Sequence, residues 1–153
     1  MNINELIELL KEIEEPYLSF LQKNFKCFPY ICGIASHILL AYIKSRLTCL
    51  PDTFSIHFGE VYSESGNFCG LHEWCLVGST IIDPTYEQYD VSFKNHIRIT
   101  DKLDQYKSES STDIKKCYLV LAKQYQTIDI YLTAVLSILS NNALTLPTGH
   151  YVH

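Results

Sequence analysis

The stretch LHEWCLVGSTIIDPT, residues 71–85, holds two apolar runs separated by a Gly-Ser pair. Glycine in the first position of a two-residue loop is typical of a type II′ β-hairpin, so we expect the turn at 78–79. Side chains alternate between the two faces of a strand, which puts His72 and Trp74 on one face, with Asp83 opposite Trp74 on the next strand. His72 and Asp83 are then diagonal neighbours, roughly 7–8 Å apart at Cα and within reach of a side-chain hydrogen bond. A loop one residue longer would put them on opposite faces.

Helical periodicity precedes and follows this hairpin. Apolar residues recur at helical spacing from Ile3 to Ile13, and Pro16 is expected to end or kink this helix before a second short one. The segment FPYICGIASHILLAYIKSRL, 28–47, predicts a central helix, since apolar residues cover most of its circumference. A third helical region is expected from about residue 113 to 141, capped by Ser111 or Thr112.

Strand patterns fill the middle of the chain. Alternation in TFSIHFGEVY, 53–62, predicts a half-buried strand before the hairpin, and VSFKNHIRIT, 91–100, predicts one after it. The polar run DQYKSESSTD, 104–113, is expected to be an exposed loop. Helices, then antiparallel strands, then helices predict a single α+β domain. Its expected parts are N-terminal helices in 1–28, a core in 29–99 and C-terminal helices in 112–142, all within one domain spanning 1–153.

Composition limits the classes of partner. The formal net charge is −5 and the isoelectric point about 5.6, so neither nucleic acid nor an anionic membrane surface is an expected partner. The N-terminus lacks the basic region of a signal peptide, and no segment has the length and apolarity of a membrane span. We therefore expect a cytoplasmic protein, or an effector exported without a cleaved signal peptide. The oligomeric state is left open.

Cys32 is the candidate partner for the His72–Asp83 pair. It falls at the start of the predicted central helix, where unpaired backbone N–H groups and the positive end of the helix dipole favour an anion. Beside a protonated histidine, such a cysteine is expected to be a thiolate at neutral pH. Its own backbone N–H is a natural first donor to an oxyanion. Gln22 and Asn24 are the candidates for the second donor.

The combination of CGIAS, HEW and IIDPTY, from about residue 29 to 89, resembles transglutaminase-like proteins within the papain-like superfamily. This resemblance implies a papain-like fold in which the cysteine helix packs on an antiparallel sheet. It implies Cys32 as nucleophile, His72 as general base and acid, and Asp83 as the carboxylate that orients the histidine. The activity would be that of a cysteine protease, a glutamine deamidase or a transglutaminase, acting through a thioester on a protein or peptide substrate without a cofactor or metal.

Two other interpretations remain open. The first is a protein-interaction module on the same fold, in which the triad has no catalytic role. The second is a zinc site, because CGLHEWC has Cys-x-x-His-x-x-Cys spacing. In an extended strand, however, His72 and Cys75 point to opposite faces and cannot share one ion. Trp74 is expected to be a wall of the cleft or part of the core.

Overall fold

The computed structural model describes residues 3–46 and 54–113, and within them the chain is an α+β structure. Two α-helices pack against a five-stranded antiparallel sheet of order β4-β3-β2-β1-β5. The predicted C-terminal helices lie outside the described residues from 114 onward. The helices are α1, Ile3–Asn24, and α2, Cys32–Arg46. The strands are β1, Phe54–Tyr62; β2, Phe68–Val77; β3, Thr80–Asp83; β4, Arg98–Thr100; and β5, Tyr106–Asp113.

The central hairpin is confirmed in both turn and register. β2 pairs with β3 so that Val77 faces Thr80 and Cys75 faces Ile82. Gly78 has a φ of 60°. The φ of Ser79 is negative, because Asn95 is the one non-glycine residue in the described ranges with a positive φ. Only the first residue of the turn is therefore left-handed, which distinguishes type II′ from type I′. With this register, His72, Trp74 and Asp83 lie on one face of the sheet, as the alternation predicts.

The prediction that Pro16 divides the first helix is wrong. α1 runs through Pro16 as a single helix of 22 residues. Proline removes one backbone hydrogen bond, but the buried face continues without a break from Ile13 to Tyr17 and Leu18. Packing of that face against the core outweighs the lost hydrogen bond. In the part of the chain that the structure describes, no helix is both long and apolar enough to cross a membrane.

The polar run after β4 is a strand, not the predicted loop. Residues 106–113 form the edge strand β5 and pair with β1, from Val61 opposite Tyr106 to Ser55 opposite Asp113. Ser111 and Thr112 therefore lie in a strand, and the helix that they were predicted to cap lies outside the described residues. A polar strand at a sheet edge has the composition of a loop because its outer side faces solvent. Gly59 is needed for this pairing, since a Cβ there would lie 2.0 Å from a carbonyl oxygen of β5.

The strand predicted over 91–100 is mostly irregular. Only Arg98–Thr100 pairs with β3, whereas Val91–Phe93 forms a short 3₁₀-helix. Asp90 caps this turn by accepting a hydrogen bond from the backbone N–H of Ser92 at 3.0 Å. Asn95 then takes a left-handed conformation with φ 64°. Local side-chain capping outcompetes strand pairing in this segment.

The two faces of the sheet bury different kinds of side chain. One face lies under α1 and α2 and forms what we call the helix-side core, which includes Leu6, Leu10, Ile13, Leu39, Ile56, Cys75 and Ile82. The other face carries what we call the aromatic cluster, formed by Val61, Trp74, Ile81, Tyr86 and Tyr106. The candidate histidine and aspartate belong to the second face, as the alternation predicts.

Candidate catalytic site

His72 and Asp83 are in direct contact and both are completely buried. Nε2 of His72 lies 2.8 Å from each carboxylate oxygen of Asp83, and both side chains are 0% exposed. β3 ends at Asp83, whereas β2 extends back to Phe68, so His72 lies beyond the paired part of the hairpin. The imidazole is thus held at its Nε2 end, and its Nδ1 end faces away from the carboxylate.

Further donors hold the Asp83 carboxylate in place. The backbone N–H of Thr85 donates to Oδ1 at 3.2 Å, which is the local turn that an Asp-Pro-Thr sequence favours. The hydroxyl of Tyr106, the first residue of the edge strand β5, donates to Oδ2 at 2.9 Å. With His72, these donors satisfy a buried carboxylate that would otherwise be costly to ionise.

A buried arginine extends this network away from the histidine. Nη1 of Arg98 donates to the Tyr106 hydroxyl at 3.1 Å, and Nη2 donates to Oε1 of Gln105 at 2.7 Å. The guanidinium carbon lies 4.1 Å from the centre of the Tyr86 ring. Burial, followed by the charge of Asp83, raises the pKa of Tyr106 far above its ordinary value. The phenol therefore stays protonated, and its O–H donates a hydrogen bond to Asp83.

Cys32 lies near the imidazole. It is the first residue of α2, and its sulfur is close enough to His72 to be among the causes that raise the pKa of the ring. Since Nε2 is occupied by Asp83, Nδ1 is the ring nitrogen available to the sulfur. α2 is fixed against β2 by two contacts of Ser36: its Oγ donates to the carbonyl of Glu73 at 3.5 Å, and its own carbonyl accepts from Cys75 Sγ at 3.7 Å.

The surroundings of His72 favour its protonated form. Burial alone lowers the pKa of His72, but the charge and hydrogen bonds of Asp83, followed by those of Cys32, outweigh burial. The net effect raises the pKa of His72 from 6.5 to about 10. These effects together favour the imidazolium, which lies beside a cysteine at a helix N-terminus.

Gln88 contacts His72 and was not predicted from the sequence. Its Nε2 lies 3.2 Å from Nδ1 of His72 and 3.1 Å from the carbonyl of Thr85. It belongs to the short 3₁₀-helix Tyr86–Gln88 that follows the Asp-Pro-Thr turn. No pattern in the sequence marks it, because its approach to His72 depends on how this turn folds back over β2.

Aromatic rings enclose the imidazole on its remaining sides. Tyr89 meets His72 edge-on at 5.1 Å between ring centres, and Trp74 stacks on it at 6.4 Å. Trp74 is 2% exposed and also stacks on His57 at 6.1 Å. Trp74 is therefore part of the core, one of the two sequence expectations for it, and it lies beside the histidine.

The two predicted oxyanion donors have other hydrogen-bond partners. Nε2 of Gln22 donates to Oδ1 of Asn95 at 2.7 Å, and Nδ2 of Asn24 donates to the carbonyl of Phe20 at 2.9 Å. In the described residues, neither amide has a hydrogen bond to a member of the Cys-His-Asp set. The structure brings together the three predicted reactive residues but not these two amides.

The cysteines and histidine of CGLHEWC do not converge. Cys75 belongs to the helix-side core, whereas His72 lies against Trp74 on the opposite face of β2. Cys69 packs beside the aromatic cluster and is partly exposed. Within residues 3–46 and 54–113, no group of three or more His, Cys, Asp or Glu side chains could hold a metal ion.

No protein-family model, no curated protein and no solved structure matches this chain. The resemblance of its three motifs to transglutaminase-like proteins therefore stays a prediction. The features that indicate a function are the His72–Asp83 contact and the position of Cys32 near the imidazole.

Proposed function

We propose that the protein is a thiol-dependent enzyme that transfers or hydrolyses acyl groups through a Cys32–His72–Asp83 triad on a transglutaminase-like, papain-like fold. The observation that carries this proposal is a completely buried histidine whose Nε2 lies 2.8 Å from both oxygens of Asp83, with Cys32 close enough to the ring to contribute to its raised pKa. A carboxylate on one nitrogen and a nucleophile at the other is the arrangement that activates a weak nucleophile.

Acylation follows from the positions of the three side chains. The Cys32 thiolate attacks the carbonyl carbon of an amide, a C–S bond forms, and the carbonyl electrons move to oxygen. When the oxyanion collapses, the C–N bond breaks and Nδ1–H of His72 gives its proton to the leaving amine. Asp83 keeps the ring oriented throughout and retains its negative charge. The product of this step is a thioester on Cys32.

Deacylation uses the same histidine as a base. Neutral Nδ1 takes a proton from water or from an amine, whose oxygen or nitrogen attacks the thioester carbon. The C–S bond then breaks, and the thiolate–imidazolium pair is restored. Water on a peptide bond makes the enzyme a protease, water on a glutamine side chain makes it a deamidase, and an amine makes it a transglutaminase.

The start of α2 supplies electrostatic stabilisation for this chemistry. The first N–H groups of a helix have no intrahelical acceptor, and the helix dipole is positive there. The backbone N–H of Cys32 is therefore the first donor to the oxyanion, and it needs no reorganisation during the reaction.

An exposed aromatic side chain close to Cys32 in the chain suits a protein or peptide substrate. Tyr30 is 72% exposed two residues before Cys32, and a bound peptide would cover its ring. This chemistry requires no cofactor, and we propose a cytoplasmic enzyme or an effector exported without a cleaved signal peptide.

Selective alkylation of Cys32 tests the proposal. The native protein is treated with limiting iodoacetamide at about pH 6, where an unassisted thiol is ionised to less than about 1%, and adducts are mapped by mass spectrometry. We expect Cys32 to react before Cys27, Cys69 and Cys75, and the His72→Ala variant to lose at least about tenfold of that rate, because its thiolate loses the imidazolium.

His57→Ala is the matched control. His57 stacks on the same tryptophan as His72 but forms its hydrogen bonds with Ser55 and Ser108. Its removal should leave the rate at Cys32 unchanged. Equal, slow labelling of all the cysteines in the native protein, or an equal loss of rate in both histidine variants, would refute the triad.

A further inference from the structure

The orientation of the Gln88 amide is determined by its neighbours. One amide atom lies 3.1 Å from the Thr85 carbonyl oxygen, 3.3 Å from Thr85 Oγ1 and 3.2 Å from Nδ1 of His72. A carbonyl oxygen only accepts hydrogen bonds, so the atom facing it must be the nitrogen and not the oxygen. Gln88 therefore presents N–H groups, and not an acceptor, to Thr85 and to His72.

This orientation favours one protonation state of the histidine. An N–H donor at Nδ1 is satisfied when Nδ1 carries a lone pair, which is the neutral ring with its hydrogen on Nε2. That hydrogen then points at Asp83, where two oxygens lie 2.8 Å away. In the imidazolium, by contrast, Nδ1–H and the amide N–H would both be donors facing each other. Gln88 thus opposes the protonation that Asp83 and Cys32 promote.

We propose that Gln88 is a positioning residue that stabilises neutral His72 and so makes the imidazolium a better proton donor to the leaving group. This inference rests on the function proposed above. Its structural basis is a closed circuit: Gln88 is held by the Thr85 carbonyl, the Thr85 N–H is held by Asp83, and Asp83 holds His72. A movement of Gln88, Thr85 or Asp83 therefore alters a hydrogen bond to the imidazole, directly or through one neighbour.

The need for such a residue follows from the charges around the imidazole. Asp83 from β3 and Cys32 from α2 both favour the cation, and together they raise the pKa of His72 to about 10. Tyr89 faces the ring as a neutral phenol, since burial and then Cys32 raise its own pKa. General acids work best when their pKa lies near the operating pH. A donor at Nδ1 moves His72 in that direction without adding a charge.

The other polar groups near the pair contact Asp83 or lie on the opposite face of β2. Tyr106 donates to Oδ2 of Asp83, and Arg98 donates to the Tyr106 hydroxyl. Glu73 follows His72 on the opposite face of β2, and its carboxylate lies against the backbone of Gly33 in α2. None of these groups touches Nδ1 by a described contact, so replacing Gln88 changes the Nδ1 environment and leaves all the charges in place.

The test is a titration of His72 by NMR in a Cys32→Ala background, where the sulfur no longer affects the ring. Gln88→Met keeps the length of the side chain and removes its N–H groups. Introducing Gln88→Met into the Cys32→Ala protein should raise the pKa of His72 by about 0.5–1 pH unit, the size expected for one lost hydrogen bond. Glu87→Ala, in the same 3₁₀-helix, should cause no shift. An unchanged or lowered pKa in Gln88→Met overturns the inference.

A second measurement keeps the inference falsifiable if Gln88→Met does not fold. In Cys32→Ala with Gln88 intact, nitrogen shifts of neutral His72 should report the proton on Nε2, and a proton on Nδ1 would overturn the inference. Where Gln88→Met does fold, iodoacetamide should modify its Cys32 at neutral pH at least as fast as it modifies Cys32 of the native protein. A purely structural role of Gln88 predicts slower modification. If native Cys32 reacts unselectively, the proposed function fails while the NMR titration still decides the role of Gln88.

Discussion

The two faces of the sheet perform different tasks with different chemistry. The helix-side core is built largely from aliphatic side chains such as Leu10, Leu39 and Ile82. Their burial is non-directional, and apolar side chains of similar volume can replace them at little cost in stability. The aromatic cluster surrounds buried polar groups, namely His72, Asp83 and Arg98, and each depends on directional hydrogen bonds. Burial of the aliphatic face is the larger source of folding free energy. The other face holds polar side chains in a fixed geometry at some cost in stability.

The contrast arises from strand alternation. Neighbouring residues of β2 supply both faces, since Cys75 packs under the helices and Trp74 packs in the aromatic cluster. On the face of the aromatic cluster, β4, β5 and the turn after β3 all supply hydrogen-bond donors. Predictions that separate the two faces therefore test this division of roles.

The largest expected effect comes from removing the shared acceptor of the polar face. Asp83→Ala leaves the N–H of Thr85, the hydroxyl of Tyr106 and Nε2 of His72 without their acceptor in a buried site. We expect a loss of about 3–5 kcal/mol in the free energy of unfolding, measured in urea. The pKa of His72 should fall well below 10, because burial then acts without the opposing carboxylate.

Leu10→Ala is the matched variant on the helix side. A buried leucine truncated to alanine costs about 2–5 kcal/mol, and Leu10 is 1% exposed. The two variants should therefore lose comparable stability, but only Asp83→Ala should lose selective alkylation of Cys32. If Leu10→Ala also loses it while still folded, the two faces are not separate in function.

A pH dependence of stability is expected to be the next largest effect. The folded pKa of His72 is raised from 6.5 to about 10, so the folded state binds the proton more tightly than the unfolded state between these values. Its contribution is fully present below about pH 6.5, declines as the pH rises, and is lost above about pH 10. Urea midpoints of the native protein should fall over this range more steeply than those of His72→Gln. Parallel curves would show that His72 is not the group responsible.

The smallest expected effect concerns the link between Arg98 and Asp83. Tyr106→Phe removes the hydroxyl that accepts from Arg98 and donates to Asp83, which should cost about 1–2 kcal/mol in unfolding free energy. Selective alkylation of Cys32 should weaken but persist, since the other bonds to Asp83 remain. Tyr62→Phe, whose hydroxyl bonds to Glu60, is the control and should change neither quantity.

Short-range patterns predicted the hairpin and its pair of polar residues correctly. The Gly-Ser turn determines the register, and the period of two then places His72 near Asp83 without any knowledge of the rest of the fold. The start of the cysteine helix was equally accessible, because Pro29 and the following apolar run are local signals. These features depend on residues close together in the chain.

The rest of the site was not predictable in this way. Tyr106 and Gln105 belong to a polar segment that looked like a loop, and they reach the site only because that segment pairs with β1 or flanks the pairing. Gln88 approaches His72 through a turn whose path no periodicity encodes. The helix expected from about residue 113 lies outside the described residues, which end at Asp113 in β5.

The sequence by itself determined the turn, the strand alternation and hence which side chains share a face, because these follow from steric rules acting over a few residues. The tertiary structure alone decided that α2 meets β2 with Cys32 at the imidazole, and that Arg98, Tyr106 and Gln88 surround the Asp83–His72 pair. Those contacts join residues far apart in the chain, and their free energy is available only once burial has removed water from the whole face.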